Sequence, residues 1–369
     1  MDSAELYPLG FDELAGWHDD DHAAAFATFL LSAELFRDGG APKTRALGIN
    51  GEQLADIMRA ALTNPQFTSD RSGARYFFET HFQPHIFSNN TEYSGRLTGY
   101  YEPQMKGYTK RCEGFSVPLL RRPDDLVELK SEPLPKDWPE GFRFARRTEN
   151  GLVPYYDRSE IEGTDFTDGA LAGQSLEIAW LPDRVDAFFA HIQGSTRIDL
   201  GNNRTIRVSY DGKSGHPYTA IGNVMRKRGC FEGGPITMQT IKHYLYANPC
   251  EQKDILQQNR SYIFFQIEQN LRDELGPRAA AGVQLTKDRS LAIDRTLHTF
   301  HTPIYVTQNA PDSRAQLMIA QDTGSAIIGP QRGDLFAGSG DDAGEIAGKM
   351  ADSCRFSVLV PRQQGEFQS

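Results

Sequence analysis

The sequence predicts a mainly β fold with helices at its N-terminal end. Over roughly the first 90 residues, apolar residues recur every three or four positions, which is typical of amphipathic helices. From Ser94 onward the chain changes to short β-type runs bounded by Gly, Pro, Asn and Asp. Loops rather than regular helices separate these runs, which favours barrels or sandwiches over a doubly wound sheet.

Each element is assigned from its own local pattern. Residues 121–160 are rich in proline and charge, and we expect a long surface excursion there. Helices are predicted at 23–37, 51–63, 74–82, 183–192 and 237–246. Strands are predicted at 96–101, 175–181, 204–210, 261–267, 291–294, 302–307, 315–320 and 356–360.

Composition limits the classes of partner. The chain has 369 residues, 39% of them hydrophobic and 24% charged, as in a globular protein of two or three domains. Its net charge of −10 argues against nucleic acid or an anionic membrane surface, because both require a clustered basic face. No apolar run is long enough for a membrane-spanning helix, and the start MDSAELYPLGF lacks a signal-peptide pattern. We expect either a cytosolic protein or one whose signal has been removed.

The cysteines and histidines predict neither a metal site nor a cofactor. The nine histidines are scattered without an HExxH pattern, and the cysteines have no CxxC spacing. We expect reduced thiols, with a disulfide as the alternative in an exported protein. The cysteines are Cys112, Cys230, Cys250 and Cys354.

Two stretches carry candidate binding groups. In GRLTGYYEP, residues 95–103, a strand would place Thr98, Tyr100 and Glu102 on one face, which could stack on a sugar and hydrogen-bond it. The alternative is a tyrosine-rich core strand with satisfied hydroxyls. Residues 191–222 predict a helix end, a hairpin with GNN at its turn and the loop DGKSGHPY. Gln193, Ser195, Lys213 and His216 lie in or beside these turns, where binding groups tend to be found.

A third stretch, residues 322–350, is rich in glycine and carries Asp322, Asp334 and Asp341. Its DTG sequence matches aspartic proteases, which require two such motifs, and only one occurs here. Its glycine run is one position off the dinucleotide-binding fingerprint and lacks the βαβ setting.

Local structure accounts for most of these acids, but not for Asp334. Asp342 and Glu345 match a capping box of a short helix, and Asp322 could close a turn. Asp334 precedes Leu335 at the start of a predicted strand, where apolar neighbours would raise the pKa of a carboxyl. Such a carboxyl can hold a proton near neutrality and donate it as a general acid.

Four stretches, taken in order, resemble the membrane-bound lytic murein transglycosylase A family. They are LTGYYEP, QGSTRIDL with SYDGKSGHPYTAIG, LTKDRSLAIDR and QDTGSAIIGPQRGDLFAGSGDDAGEIAG. The last resembles the family's three-aspartate module. The resemblance implies a double-psi β-barrel domain at 1–104 and 269–369 that carries the N-terminal helices. It also implies an inserted β-barrel-like domain at 105–268, with a deep cleft between the two.

The resemblance implies a reaction as well. Family members cleave the β-1,4 bond between N-acetylmuramic acid and N-acetylglucosamine without water, leaving 1,6-anhydromuramic acid ends. A monomeric, periplasmic, outer-membrane-associated enzyme acting on peptidoglycan is thereby expected, although no lipobox cysteine is present. Asp334 matches the single acid/base, and Asp322 and Asp341 match the other two aspartates of the module. The residues expected to bind the glycan are Thr98, Tyr100, Tyr101, Gln193, Ser195, Lys213, Gly324 and Ser325.

Two other functions stay open at this point. One is a hydrolytic β-glucanase on the same barrel, with Asp334 as acid and Asp322 or Asp341 as base for a water. The other is a non-catalytic wall-binding module in which the acids are structural. Endo or exo action, glycan-length and peptide-stem preference and cysteine pairing are not predicted.

Overall fold

The protein is described by a computed structural model that covers residues 5–87, 94–129, 138, 142–231, 233–234, 236–309 and 314–362. It forms two compact units. The first comprises Met1–Tyr101, Leu271–Gly338 and Lys349–Ser369, and the second comprises Glu102–Asn270 and Ser339–Gly348. The sequence-based division left Ser339–Gly348 with the first unit. This segment lies with the second unit, where the Gln239 amide donates to the Gly344 carbonyl at 3.0 Å.

Short strands and helices make up most of the described chain. The strands are β1 (Leu6–Pro8), β2 (Phe82–Phe87), β3 (Gly95–Glu102), β4 (Gln104–Lys106), β5 (Val117–Leu120), β6 (Leu126–Glu128), β7 (Phe144–Thr148), β8 (Gly151–Val153), β9 (Glu177–Leu181), β10 (Ser195–Asp199), β11 (Thr205–Lys213), β12 (Ile263–Glu268), β13 (Ser290–Ala292), β14 (Pro303–Gln308), β15 (Ala315–Asp322), β16 (Arg332–Ser339) and β17 (Ala351–Pro361). The helices are α1 (His22–Glu34), α2 (Gly51–Leu62), α3 (Arg71–His81), α4 (Arg158–Glu162), α5 (Arg184–Gln193), α6 (Ile221–Lys227), α7 (Met238–Ala247), α8 (Pro249–Gln257) and α9 (Asp341–Lys349). Every predicted helix and strand is confirmed, with ends shifted by a few residues.

The first unit is built on a mainly antiparallel sheet whose strands are ordered β1-β2-β17-β14-β15-β13-β16-β3. The long strand β17 also pairs with β3 through Ala351–Cys354. The pairings β17-β14-β15-β13-β16-β3-β17 therefore form a ring. One apolar core contains Leu97, Leu291, Leu335 and Phe356 from four of these strands, all nearly or fully buried.

Helices α1–α3 pack on the first unit through a second apolar core. Their N-caps are Asp21, Asn50 and Asp70, whose side chains accept backbone N–H groups of the first turns. Phe29 and Phe78 are fully buried against strand residues in this core. The helices are thereby fixed to the sheet through buried aromatic surface.

Two buried polar residues, Asp20 and Gln321, tie the N-terminal segment to the strands. The Asp20 carboxylate accepts hydrogen bonds from Arg289 Nη2 at 2.9 Å and from the Leu317 backbone N–H at 2.7 Å. Gln321, in β15, donates to the Thr28 carbonyl and to Ser32 Oγ of α1. Since buried polar groups are costly unless paired, these contacts specify where α1 is placed on the sheet.

The second unit contains smaller sheets of order β12-β11-β10-β4, β5-β9 and β6-β7-β8. The β10–β11 hairpin carries the predicted GNN turn, with positive φ at Gly201, Asn202 and Asn203. Helix α8 begins with Pro249 at its first position, so the Asn248-Pro249 pair both ends α7 and starts a further helix.

The predicted surface excursion at 121–160 is wrong for the part that the structure describes. Residues 130–137 and 139–141 lie outside the described ranges. The remainder supplies β6, β7, β8 and α4, and it buries Leu126, Phe144 and Tyr155 in a core with Phe264. Proline and charge concealed isolated apolar residues that are too widely spaced to give a periodic signal. Within the described ranges, no helix is long and apolar enough to cross a membrane.

Candidate active site

Sheet register brings Asp322 and Asp334 to the same level of the first unit. Strand β13 lies between β15 and β16, and its Ala292 pairs with Asp322 on one side and Asp334 on the other. Because neighbouring strands are about 4.8 Å apart, the two aspartate backbones lie on the order of 10 Å from each other. Two acids separated along the chain are thereby brought into one site.

Strand β16 presents Asp334 on the face opposite to its core residues. Gly333 faces the core so closely that a Cβ there would lie 2.6 Å from Phe356 and 2.9 Å from Leu291. Leu335 is 2% exposed in the same core. Since side chains alternate along a strand, Arg332 and Asp334 share the other face.

Within the described part of the chain, the carboxyl of Asp334 has a single hydrogen-bond donor. Thr98 Oγ1, from β3, donates to Asp334 Oδ1 at 2.6 Å. Burial raises the pKa of Asp334 to about 6; the Thr98 bond and the Arg332 charge lower it, while the nearby Asp322 charge raises it. The raised pKa predicted from the apolar neighbours is confirmed, and burial is its main cause.

Asp322 accepts hydrogen bonds on both of its carboxylate oxygens. Tyr100 Oη donates to its Oδ2 at 2.7 Å, and the Ala280 backbone N–H donates to its Oδ1 at 3.1 Å. Burial raises the pKa of Asp322 as well, and these hydrogen bonds oppose the increase. The Tyr100 ring packs against Phe336 at 5.4 Å between centroids, so its hydroxyl is fixed relative to the sheet.

Arg332 contacts the same hydroxyl group that serves Asp334. Its Nη2 donates to Thr98 Oγ1 at 2.8 Å, and its Nη1 donates to the Gly333 carbonyl. Burial lowers the pKa of the Arg332 guanidinium, and the Asp334 charge raises it. The sequence analysis did not identify Arg332, although its position two residues before Asp334 on one strand face was a usable signal.

A further aspartate of the first unit, Asp294, was also not identified. It is 8% exposed and accepts the Gly329 N–H at 2.9 Å, the Thr296 N–H at 2.9 Å and Thr296 Oγ1 at 2.6 Å. Burial raises the pKa of Asp294, but these bonds outweigh it and the net shift is downward. Nearby, the His298 ring contacts the Pro330 carbonyl at 2.8 Å. Asp294 and His298 together hold the segment that links Asp322 to Asp334.

Asp341 lies in the second unit, as the first residue of α9, with an exposed side chain. The short helix predicted from Asp342 and Glu345 is confirmed. The expected place of Asp341 beside the other two aspartates stays a prediction.

The other predicted binding residues differ in accessibility. In the first unit, Gly324 and Ser325 lie in an exposed turn after β15, whereas Tyr101 is only 5% exposed. In the second unit, Gln193 ends α5, Lys213 ends β11 and Ser195, which begins β10, is 6% exposed. Tyr101 and Ser195 thus offer little side-chain surface to a ligand.

Two candidate binding residues, Glu102 and His216, are buried and engaged with other residues of the protein. Glu102 is fully buried in the second unit and forms ion pairs with Arg197 at 2.7 Å and Arg207 at 2.8 Å. The suggestion that Glu102 contributes to a sugar-binding face is therefore wrong. His216 is 8% exposed, and its Nε2 is engaged with the Tyr155 carbonyl at 2.7 Å. All four cysteines are free thiols.

Comparison with known proteins places these features in a family. Models described as the MltA specific insert domain and the 3D domain match residues 96–266 and 289–360. The crystal structure of a membrane-bound lytic murein transglycosylase from Agrobacterium tumefaciens is 35% identical, with a TM-score of 0.85. The match covers 97% of this chain and 98% of that one. MltA from Neisseria gonorrhoeae is 31% identical over 98% of this chain and 94% of its own, with a TM-score of 0.78.

A curated relative agrees with these structures. Membrane-bound lytic murein transglycosylase A of Escherichia coli K12 is 30% identical over 264 residues, which is 69% of this chain. The match spans 62% of the E. coli protein, somewhat less than two thirds of its length. Over nearly its whole length, however, the chain matches the Agrobacterium structure in both fold and sequence. The chain therefore belongs to the membrane-bound lytic murein transglycosylase A family.

Proposed function

We propose that this chain is a lytic murein transglycosylase that cleaves the glycan strands of peptidoglycan. The observation that carries the proposal is Asp334: one carboxyl, buried on a strand face, with a pKa raised to about 6 and a hydroxyl as its donor. Such a group is protonated in about half of the molecules at pH 6 and in about a tenth at pH 7, and it can give up its proton. Membership of the family and the names of its relatives support the choice of substrate.

Asp334 acts first as the general acid. Its proton passes to the oxygen that links C1 of N-acetylmuramic acid to C4 of N-acetylglucosamine. The C1–O bond then breaks with its electron pair remaining on that oxygen, and positive charge develops at C1. Asp334 is left as a carboxylate, whose charge the Arg332 guanidinium partly balances.

Asp334 then acts as the base. The C6 hydroxyl of the same muramic residue attacks C1, and its proton returns to the Asp334 carboxylate. A 1,6-anhydro ring forms, no water is consumed and the acid is regenerated. Hydrolytic glycosidases need a second carboxyl to activate water or attack the sugar, whereas here the substrate supplies the nucleophile. An intramolecular nucleophile can lower the barrier by up to about 7–11 kcal/mol if it is correctly held.

Asp322 serves in an electrostatic role rather than as a second base. Both of its oxygens are engaged, by Tyr100 and by the Ala280 N–H. Its charge raises the pKa of Asp334, and it could also stabilise the cation that develops at C1. This arrangement favours a transglycosylase over a hydrolase on the same site.

The remaining assignments complete the proposal. The ring of strands is a double-psi β-barrel that carries the acid. Residues 105–268 are the inserted domain, and α9 belongs to the same unit. The protein acts as a monomer at the periplasmic face of the envelope. The residues proposed to contact the glycan are Thr98, Tyr100, Gln193, Lys213, Gly324 and Ser325, with Asp341 in a supporting role.

Digestion of purified sacculi tests the proposal. Mass spectrometry of the soluble products should find muropeptides with 1,6-anhydro ends, which are lighter by one water than those with reducing ends. Products with reducing ends would identify a hydrolase instead. Binding to sacculi without any released product would identify a non-catalytic wall-binding module.

A further inference from the structure

The Thr98 hydroxyl is in contact with two charged side chains at once. Arg332 Nη2 lies 2.8 Å from Thr98 Oγ1, which in turn lies 2.6 Å from Asp334 Oδ1. A guanidinium has only donors, so it cannot accept the Thr98 proton. The hydroxyl hydrogen therefore has one favourable direction, toward Asp334.

We propose that Arg332 is a positioning residue for the acid. By donating to Thr98 Oγ1, it holds the hydroxyl as a donor to Asp334 Oδ1 and so places the acid proton on Oδ2. This inference rests on the proposed function of Asp334 and adds a residue to it. The relay is Arg332 to Thr98 to Asp334, running from β16 to β3 and back.

The position of the proton matters because Asp334 has two oxygens. Among the described residues, Oδ2 has no hydrogen-bond partner, so a proton on it is available to a substrate. Without Arg332, the Thr98 hydroxyl could rotate and accept the Asp334 proton. The acid would then be held in an internal hydrogen bond, and donation to the glycosidic oxygen would require that bond to break first.

Other charged and titratable groups near Asp334 and Arg332 also influence how the activity depends on pH. They are Asp322 from β15 and Tyr100 from β3, which interact with Asp334, and Arg96 from β3 and Cys354 from β17, which interact with Arg332. The Arg332 charge also lowers the pKa of Asp334 directly. A test must therefore separate the orientation of Thr98 from this charge effect.

The variants Arg332→Met and Arg332→Lys make that separation. Methionine removes both the hydrogen-bond donor to Thr98 and the positive charge, whereas lysine keeps a donor and the charge. At about pH 5, where Asp334 is protonated in either variant, a charge effect on its pKa no longer limits the rate. We expect Arg332→Met to lower kcat about tenfold there with KM unchanged, the worth of one hydrogen bond, and Arg332→Lys to recover most of it.

A second pair of variants tests whether Arg332 acts through Thr98. Thr98→Val removes the hydroxyl and should lower kcat, whereas Thr98→Ser keeps the hydroxyl and should recover most of that loss. In the double variant Arg332→Met/Thr98→Val, the loss should equal that of Thr98→Val alone, because the relay is already broken. Multiplied losses, or an unchanged kcat in Arg332→Met at about pH 5, would overturn the proposal. If Arg332→Met does not fold, Arg332→Lys and the Thr98 pair still decide it.

A spectroscopic readout keeps the inference separate from the proposed function. The ¹³C shift of the protonated Asp334 carboxyl should change in Arg332→Met and Thr98→Val, and Arg332→Met should add nothing in the Thr98→Val background. If the wild-type chain released no anhydro products, the proposed function would fail while this measurement still tested the relay. An unchanged shift in Arg332→Met would contradict the relay even in an active enzyme.

Discussion

Asp334 and Asp294 are both largely buried carboxyls of the first unit, yet their surroundings shift their pKa values in opposite directions. Burial raises the pKa of each. Asp294 accepts three hydrogen bonds from Gly329 and Thr296, which together lower its pKa below the ordinary value. Asp334 accepts one, from Thr98, and its pKa is about 6.

The difference shows that the balance between burial, which raises the pKa, and hydrogen-bond donors, which lower it, decides which carboxyl can serve as an acid. Asp322 shows that burial can win this balance, since hydrogen bonds from Tyr100 and from the Ala280 and Thr323 backbone lower its pKa but burial raises it by more. A carboxylate that accepts several hydrogen bonds, such as Asp294, fixes the backbone around it. A carboxyl with a single donor, such as Asp334, can keep a proton and give it to a substrate.

The largest effect should come from Asp334→Asn, which keeps the shape of the site and removes the proton. General acid–base catalysis contributes roughly 10²- to 10⁴-fold, so release of anhydro products should fall by at least that factor. Binding to sacculi should persist. The matched control is Asp38→Asn, an exposed carboxyl of the same unit, which should retain full activity. Substantial turnover by Asp334→Asn would remove Asp334 from its role.

The same variant should be more stable than the wild type at neutral pH. The folded-state pKa of Asp334 lies above its unfolded value near 4, so wild-type stability falls as the pH rises from about 4 to about 6. Over two pH units this amounts to at most about 3 kcal/mol. Urea unfolding at pH 4 and pH 8 should show that the advantage of Asp334→Asn grows with pH. An advantage that did not depend on pH would mean that the Asp334 pKa is not raised.

Asp294→Asn should have the opposite sign. Because the folded-state pKa of Asp294 is lowered, its contribution to stability is present above the unfolded pKa and is lost as the pH falls through the folded value. We expect a loss of about 1–3 kcal/mol at pH 7, since donors from Gly329 and Thr296 lose a charged acceptor. The loss should shrink under acid conditions. Equal stability of Asp294→Asn and the wild type at pH 7 would contradict this role of Asp294 in the turn.

The smallest effect is expected from Asp322→Asn on the pH profile. Wild-type kcat should fall as the pH rises through about 6, because the acid must be protonated. Removing the Asp322 charge lowers the Asp334 pKa. The pH at which kcat falls should therefore decrease by less than about one unit. Movement to higher pH would show that Asp322 influences the site in another way.

The sequence was informative where local pattern and function coincide. Leu335 and Phe336 beside Asp334 were enough to predict both the strand and the raised pKa. The family resemblance selected Asp322, but only the register with Ala292 explains why it lies near Asp334.

The rest depends on contacts that no local pattern records. Asp294 is engaged with Gly329, 35 positions further along the chain, and Thr98 reaches Asp334 across 236 positions. Glu102 shared a predicted face with Thr98 and Tyr100, yet two arginines of the second unit pair with it. Strand alternation predicts a face but not what that face contacts.

Titration of both carboxyls in one sample is the most direct test of why Asp334 is the acid. ¹³C NMR of carboxyl-labelled protein, with Asp334→Asn and Asp294→Asn to assign the two signals, gives each pKa without any assay of activity. We predict about 6 for the pKa of Asp334 and a value below the ordinary aspartate range for that of Asp294. Two values near 4, or the reverse order, would contradict the account.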